Sequence, residues 1–505
     1  MPNLPIYSIA SALAQFNIHI AEIASNGLVN DSREVTTDSV FCAISGSLED
    51  GRQYIDSALE QGAVLVIGQC HSVQQHGNII ERVIDGNKID VIQFFELDKH
   101  LISLAQHYYG YPHRSMNMIG VTGTNGKTST TQILANCFDA LSYPSAVIGT
   151  TGAGRIGALT PIKNTTPGPT ELSALLAKFK QQDIKHVVME VSSHALDQHR
   201  VSPEMMDIAV FTNLSRDHLD YHGSMEAYAS AKFKLFIKNP AQYAVVNGDD
   251  EYAKAWLNDN NTLEKLTVFG RDESISSYRT YVRAADIVHG QTGLQFTLET
   301  EQGSFQVKSK LIGDFNAENL LAAIAVLRAS GITLNDIVDV LPNITPCDGR
   351  METFDGETLA TCIVDYAHTP DALENALKAC RQHCQGELWL VFGCGGDRDQ
   401  GKRALMGDIA EQFADHLVVT NDNPRNEAPE LIVNDILSGC KQPEKITVML
   451  DRAQAVKATL ANANEKDMVL LAGKGHEDTI QIGNEIIEYS ERKLVKSIYK
   501  QGASA

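Results

Sequence analysis

The run Met118-Ile-Gly-Val-Thr-Gly-Thr-Asn-Gly-Lys-Thr-Ser129 constrains the fold more than any other part of the chain. An apolar strand leads into a glycine-rich turn and then into a helix start. Gly123 and Gly126 let the backbone bend so that several N–H groups point at one anion, and the following helix adds its positive N-terminal end. Lys127 would reach the β- and γ-phosphates of a nucleotide, and Thr128 can offer its hydroxyl to Mg²⁺. Val121 stands where the strict phosphate-loop pattern has glycine. A glycine turn without a nucleotide is the bland alternative. The strand, loop and helix together with Gly-Lys-Thr favour an ATP site formed by Gly123, Thr124, Asn125, Gly126, Lys127, Thr128 and Ser129.

Strand and helix alternate around this loop, which argues for a parallel α/β sheet. Met116–Val121, His186–Val191 and Asp207–Asn213 read as strands, and Ser129–Leu141 and Met225–Ile237 as helices. The pattern breaks around Ile344-Thr345-Pro346, and a second series begins with strands at Thr361–Tyr366, Glu387–Gly393, His416–Thr420 and Met468–Ala472. Asp371–His383 reads as a helix between them, the pattern of a doubly wound domain. Before residue 99 the apolar runs are short, as in Ser39–Ile44. A chain of 505 residues is too long for one core. Three α/β domains are expected: a small N-terminal one over 1–98, a central P-loop ATPase-like parallel one over 99–346, and a Rossmann-like doubly wound one over 347–505.

The formal charge of −21 disfavours nucleic acid as a partner, so any phosphate site must be local. The N-terminus lacks a basic start. The longest apolar run, around Leu320–Leu327, is far short of the ~20 residues of a membrane span. Nine scattered cysteines suit reduced thiols in the cytoplasm. Cys380, His383, Cys384 and Cys394 lack the paired knuckles of a zinc site.

Two strand ends carry polar residues where such a sheet presents its ligands. Glu190, in Val187-Val-Met-Glu190-Val-Ser-Ser-His194, interrupts an apolar strand, and an isolated carboxylate there is costly unless paired or bound to metal. His218 follows the strand that ends in Phe211-Thr-Asn-Leu-Ser-Arg-Asp217. A structural arginine for Glu190 and a plain loop for His218 are the bland readings; beside a phosphate loop, metal ligation is the better one. On the next helix Lys232 and Phe236 would share a face. By charge pattern alone Lys232 is a solvated surface lysine.

These segments together resemble the Mur ligase family over essentially the whole chain. The resemblance rests on Gly123-Thr-Asn-Gly-Lys-Thr128, Asn164-Thr-Thr166, Glu190-Val-Ser-Ser-His-Ala-Leu196, Gln198-His-Arg200, Asn213-Leu-Ser-Arg-Asp-His218 and Ala231-Lys-Phe-Lys-Leu-Phe236. It continues in Gly313-Asp-Phe-Asn316, Asp348-Gly-Arg-Met-Glu352, Asp365-Tyr-Ala-His-Thr-Pro370, Asp422-Asn-Pro-Arg425 and Gly473-Lys-Gly-His-Glu477. The resemblance implies an ATP-dependent amide-bond-forming ligase of peptidoglycan synthesis, with ATP between the central and C-terminal domains. Asn316, Arg350, Asp365 and His368 would complete the nucleotide contacts. Lys127, Glu190, His218 and Lys232 would be catalytic. Thr128, Glu190, His218 and a carbamate on Lys232 would hold Mg²⁺, the carbamate turning an ammonium into a hard oxygen ligand. Only a neutral amine reacts with CO2, so burial of Lys232 would help. The substrate carboxylate would take the γ-phosphoryl group, and an amine would displace phosphate from the acyl phosphate.

The resemblance also implies a nucleotide-linked muramoyl dipeptide, UDP-N-acetylmuramoyl-L-alanyl-D-glutamate, as substrate. Asn30, Ser32 and the loop Ser47-Leu48-Glu49 would hold its uridine diphosphate end. That loop departs from the more polar His-Gln type of related members. Asn164, Thr165, Thr166, Ser192, Gln198 and Arg200 would hold the pyrophosphate and sugar-peptide part. The partner amine would be meso-diaminopimelate, received by Arg398, Asp422, Asn423, Pro424, Arg425, Gly473 and Glu477. Read alone, Asn-Pro is a turn and Arg425 a rim charge; in the family, members that add lysine lack this arginine. Diaminopimelate differs from lysine by a second carboxylate, which a guanidinium grips bidentately. No nucleic acid or membrane partner is expected, and the chain should act as a monomer. Folylpolyglutamate synthetase shares the ATPase design but does not explain Asp422–Arg425. An NAD module at Gly393-Cys-Gly-Gly396 would need glycine where Arg398 stands.

Overall fold

A computed structural model describes residues 8–46, 49–84, 87–236, 242–260, 263–356 and 358–502. Two compact units emerge, one comprising 1–268 with 325–331, the other 269–324 with 332–505.

The first unit holds two sheets. Five strands, β1 (Gly27–Val29), β2 (Ser39–Ala43), β3 (Leu65–Cys70), β4 (Ile79–Ile84) and β5 (Asn87–Phe95), lie in the order β1-β2-β3-β5-β4. β4 alone runs antiparallel to its neighbour. Leu65, Ile67, Ile92 and Phe94 meet Leu97, Leu101 and Leu104 of the helix Leu97–Tyr108 in one core. The second sheet contains β6 (Asn117–Thr122), β7 (Ser145–Gly149), β8 (Gly152–Gly154), β9 (His186–Glu190), β10 (Ile208–Phe211), β11 (Tyr243–Asn247) and β12 (Leu266–Gly270). Its order is β12-β11-β10-β6-β9-β7-β8. From β11 to β7 the pairing is parallel. Met118, Ile119, Val187, Val188, Ala209 and Val210 are buried, as continuous apolar runs require in a sheet covered on both faces. The register sets Val121 beside Glu190 and Phe211 beside Thr122. The loops after β6, β9 and β10 therefore open at one end of the sheet, where an α/β fold binds ligands.

The second unit begins with an antiparallel series, β13 (Tyr281–Gly290), β14 (Gly293–Thr300) and β15 (Gly303–Ser309). The strand–helix alternation expected up to residue 346 is interrupted here. Leu294, Phe296 and Leu298 point inward while Gln295 and Thr297 point away, the period-2 pattern of a half-buried strand. The remaining strands are β16 (Glu352–Gly356), β17 (Leu359–Asp365), β18 (Leu388–Phe392), β19 (His416–Val419), β20 (Thr447–Val448) and β21 (Met468–Ala472), with the ribbon β22 (Thr479–Ile482) and β23 (Glu485–Glu488). The sheet order is β16-β17-β21-β18-β19-β20, parallel from β17 to β20. Asp365 pairs with Ala472 and Phe392 with Val419, so the loops after β17, β18, β19 and β21 also share one end.

The helix expected at Met225–Ile237 ends at Phe233, with Lys234 as its cap. Phe236 lies past that end, so it does not share a helical face with Lys232; Ile237 falls outside the described residues.

Candidate active site

The phosphate loop takes the expected form. β6 ends at Thr122, and a helix runs over Lys127–Ala140 with Gly126 left-handed at its cap. Gly123 has φ +152°, and a Cβ there would fall 1.9 Å from Thr212 Oγ1. No other residue fits that approach. The loop is tied to the segment after β10: Thr124 N–H donates to Asn213 O, Asn125 N–H to Asn213 Oδ1, and Thr212 Oγ1 to Asn125 O. Lys127 Nζ curls back onto Gly123 O at 2.9 Å and Thr124 O at 2.8 Å, at the mouth of the loop.

Glu190 closes β9 and is 1% exposed. Thr128 Oγ1 donates to its Oε1 at 2.9 Å, Thr150 N–H donates to Oε1 at 2.8 Å, and Thr150 Oγ1 to Oε2 at 3.2 Å. These partners are neutral donors, and one of them is a hydroxyl that could turn toward a cation. A Cβ on Gly149 would lie 2.2 Å from Oε1. Gly149 and Thr150 were not anticipated from the sequence, although a buried run ending in Gly149-Thr-Thr151 marks one more strand end at the same edge.

Lys232 is 1% exposed, which overturns the solvated-surface reading and meets the burial that the family resemblance implies. Its Nζ donates to Gly123 O at 2.8 Å and sits 4.5 Å from the centre of the Tyr228 ring. Burial, with Lys127 adding repulsion, pulls its pKa down to about 6. The Tyr228 ring also faces His218 at 5.9 Å, and its hydroxyl lies 3.2 Å from Thr124 Oγ1. His218 has φ +52° and rings of His194 and Tyr228 around it. Tyr228 thus joins three elements of the site and was missed in sequence, where it reads as one more helical aromatic.

Beside Glu190, Thr166 Oγ1 donates to Glu190 O at 2.9 Å and accepts from Ser192 N–H at 3.0 Å. Arg200 Nη1 donates to Thr166 O at 2.8 Å, while its buried Nε has no partner among the described residues. Thr165 Oγ1 lies 3.2 Å from Thr150 Oγ1, and Gln198 Nε2 donates to Tyr221 OH at 3.3 Å. Asn164 is exposed nearby in sequence. Asn30 Oδ1 accepts from Thr170 Oγ1 at 2.5 Å, Ser32 opens a short 3-10 turn, and Glu49 is exposed. Ser47 and Leu48 lie outside the described residues.

In the second unit the oxygens of Asp365 accept from the N–H groups of Met351 and Ala367. Burial raises its carboxyl, against the pull of Arg350. Arg350 stacks 4.7 Å over the Tyr366 ring, and its buried Nε has no partner among the described residues. Asn316 is bound at both ends, to Ile312 O and Asn319 Nδ2. His368 is exposed.

The loops after β18, β19 and β21 gather the remaining residues. Cβ atoms on Gly393 and Gly396 would fall 2.2 Å from Thr420 O and 1.9 Å from Pro424 O. The glycines at 393 and 396 therefore admit the 420–425 loop, which accounts for them without a dinucleotide. A Cβ on Gly395 would lie 3.0 Å from Arg425 Nη1 and 3.7 Å from Arg398 Cγ, so both arginines flank that point. Arg425 has φ +49° and donates to Gly396 O at 2.8 Å. Asp422 lies against Gly473, whose Cβ would meet Asp422 Oδ2 at 2.7 Å. Asn423 Nδ2 donates to Glu477 Oε2 at 3.1 Å.

Three family profiles match the chain in succession: "Mur ligase family, catalytic domain" at residues 25–109, "Mur ligase middle domain" at 121–327 and "Mur ligase, glutamate ligase domain" at 349–475. The chain is 43% identical over 479 residues to the UDP-N-acetylmuramoyl-L-alanyl-D-glutamate--2,6-diaminopimelate ligase of Vibrio vulnificus, covering 95% of both chains. It is 42% identical to the protein of that name from Haemophilus influenzae, covering 95% of this chain and 97% of that one. A solved structure of a ligase of the same name superposes with a TM-score of 0.71 at 33% identity, covering 97% of this chain and 99% of the other.

Proposed function

The chain belongs to the Mur ligase family, and we propose that it joins meso-diaminopimelate to UDP-N-acetylmuramoyl-L-alanyl-D-glutamate at the expense of ATP, in peptidoglycan synthesis. The observation that carries the reaction class is the buried Lys232 amine 2.8 Å from the carbonyl of Gly123 in the phosphate loop. An exposed lysine would serve binding alone; a buried, readily neutral one suits carbamate formation with CO2, which releases one proton and leaves a carboxylate.

The phosphate loop N–H groups and Lys127 receive the ATP phosphates. Thr128, Glu190, His218 and the Lys232 carbamate fit Mg²⁺, since a hydroxyl, a buried carboxylate and a second anionic oxygen are hard donors. Bound there, Mg²⁺ would offset the repulsion between the attacking carboxylate and the γ-phosphate. The D-glutamate carboxylate attacks the γ-phosphorus and releases ADP. The amine then attacks the acyl phosphate, and phosphate leaves as the amide forms. Arg200 and Thr166 orient the precursor beside Glu190; Arg200 has an unpartnered Nε to offer an anion. Arg425 and Arg398 offer guanidinium groups to the distal carboxylate of the diamino acid, and Asp422 and Glu477 offer acceptors to its ammonium, with Asn423 bound to Glu477 beside them.

We assign residues 1–98 to the nucleotide-sugar end, 99–346 to ATP and 347–505 to the amino acid. We assign the reaction to the cytoplasm, where ATP and nucleotide-linked precursors occur, and to a monomer. The test is ADP release with purified UDP-muramoyl dipeptide and either meso-diaminopimelate, L-lysine or no amine. Release that depends on diaminopimelate is expected; equal release with lysine would remove the assigned amino acid.

A further inference from the structure

Lys474 is a feature that neither its sequence context nor the reaction above accounts for. Flanked by glycines, it reads as an exposed turn residue, yet its side chain is 0% exposed. The flanking residues explain how it turns inward. Gly473 has φ +110° and Gly475 φ +50°, and Cβ atoms there would fall 2.7 Å from Asp422 Oδ2 and from Tyr366 Cβ respectively. The Nζ donates to Glu477 Oε2 at 2.6 Å and to Asn423 Oδ1 at 3.1 Å, and lies 3.9 Å from Asp422 Oδ1. Asn423 Nδ2 donates to the same Glu477 oxygen, and Gln481 N–H donates to Asn423 Oδ1 at 2.9 Å. Lysine, amide and carboxylate form a closed triangle that fixes the amide's orientation.

We infer that Lys474 is a positioning residue for the amino-acid site, holding Glu477, Asn423 and Asp422 in one arrangement that leaves an excess negative charge for the incoming ammonium. The inference rests on the proposed use of that site for a diamino acid. A buried ammonium among two carboxylates is a poor way to gain stability, because apolar packing does as well or better; fixing a geometry is what such a group does best. One cation against two anions still favours a second cation, and among the described residues Glu477 Oε1 carries only a long 3.5 Å contact from Tyr366 OH. Burial would raise the Glu477 carboxyl, but Lys474 and Asn423 outweigh it and, with His476, hold it below the usual range. The charged and titratable groups facing it are thus Lys474, His476, Tyr366 and Asp422.

The test uses the full-length enzyme with Lys474→Met and Lys474→Arg. The wild type is assayed first: if it forms no tripeptide product with meso-diaminopimelate, the reading of the reaction fails and not this one. With an active wild type, Lys474→Met should raise KM for diaminopimelate roughly 10- to 100-fold. KM for ATP and for the UDP-dipeptide should stay within about twofold, since neither is assigned to this triangle. The acidic limb of kcat/KM for diaminopimelate should move to higher pH, because Glu477 loses the cation that keeps it ionised. Lys474→Arg, which keeps the charge, should recover part of both effects. An unchanged KM for diaminopimelate with an unmoved pH profile overturns the inference. Failure of both variants to fold, read by thermal melting, assigns Lys474 to stability alone and also overturns it.

Discussion

The Lys232 amine donates to the carbonyl oxygen of Gly123 across 2.8 Å, so a helix after β10 delivers its lysine to the loop after β6. The loop's own cation, Lys127, donates to the same oxygen. Two amines converging on one carbonyl repel each other when both are charged. Neutralising Lys232, and then making it anionic as a carbamate, relieves that repulsion.

The first prediction is therefore a pH and CO2 dependence. With its pKa pulled down to about 6, Lys232 is a free amine above that value and an unreactive ammonium below it. Enzyme stripped of CO2 near pH 5 should be inactive and should recover on adding bicarbonate at pH 8. Lys232→Ala should lower ADP release roughly 100- to 1000-fold, with partial rescue by a small carboxylate such as formate. Activity of Lys232→Ala within a few-fold of wild type would exclude the carbamate.

A second prediction concerns Gly149. A methyl group there would sit 2.2 Å from Glu190 Oε1 and must push the carboxylate away from Thr128. Gly149→Ala should lower kcat about 100-fold and raise the Mg²⁺ concentration needed for half-maximal rate. Circular dichroism should show the fold intact. A Mg²⁺ titration that matches wild type would separate Glu190 from the metal.

How much of this was legible depended on local pattern. The run Met468–Ala472 reads as a strand and is one, because five apolar residues between polar ones have few other uses. The phosphate loop was legible because glycine, lysine and threonine at that spacing serve one purpose. Burial of Lys232 was not, since a lysine amid alanines looks the same whether its helix faces water or a loop distant in sequence. Lys474 between glycines carries no local sign of its burial, for the same reason. The strands β13–β15 escaped although Leu294, Phe296 and Leu298 alternate cleanly, because the strand–helix rhythm before them suggested its own continuation. Thr150 and Tyr228 carry common chemistry, and only three-dimensional proximity marks them.

A third prediction follows from Arg200. Its guanidinium is anchored by one donor to Thr166 O, while the buried Nε is unpartnered among the described residues. Leaving such a donor unmet in the interior costs about 1–3 kcal/mol, a cost that a bound anion removes. Arg200→Ala should raise KM for the UDP-dipeptide roughly 10- to 100-fold and leave KM for ATP nearly unchanged. A loss confined to ATP would move Arg200 to the nucleotide.

The last prediction concerns the choice of amino acid. Arg425 is held in a left-handed conformation with φ +49°, which strains a residue with a Cβ, and its backbone N–H donates to Gln481 O. The ribbon and the strain together fix where the guanidinium projects, beside Gly395 and Arg398. meso-Diaminopimelate brings a carboxylate that lysine lacks, and removing its half-buried partner should cost about 2 kcal/mol or more in binding. Arg425→Ala should therefore lose kcat/KM for diaminopimelate by at least roughly 30-fold, with KM for ATP unaffected. The ratio of diaminopimelate to lysine use should fall toward one, because lysine had nothing to lose. Gly395→Ala should act in the same direction but more weakly, since its methyl would press on Arg425 Nη1 at 3.0 Å without removing the charge. Equal losses for both amino acids in Arg425→Ala would mean that the arginine supports the loop and does not read the distal carboxylate.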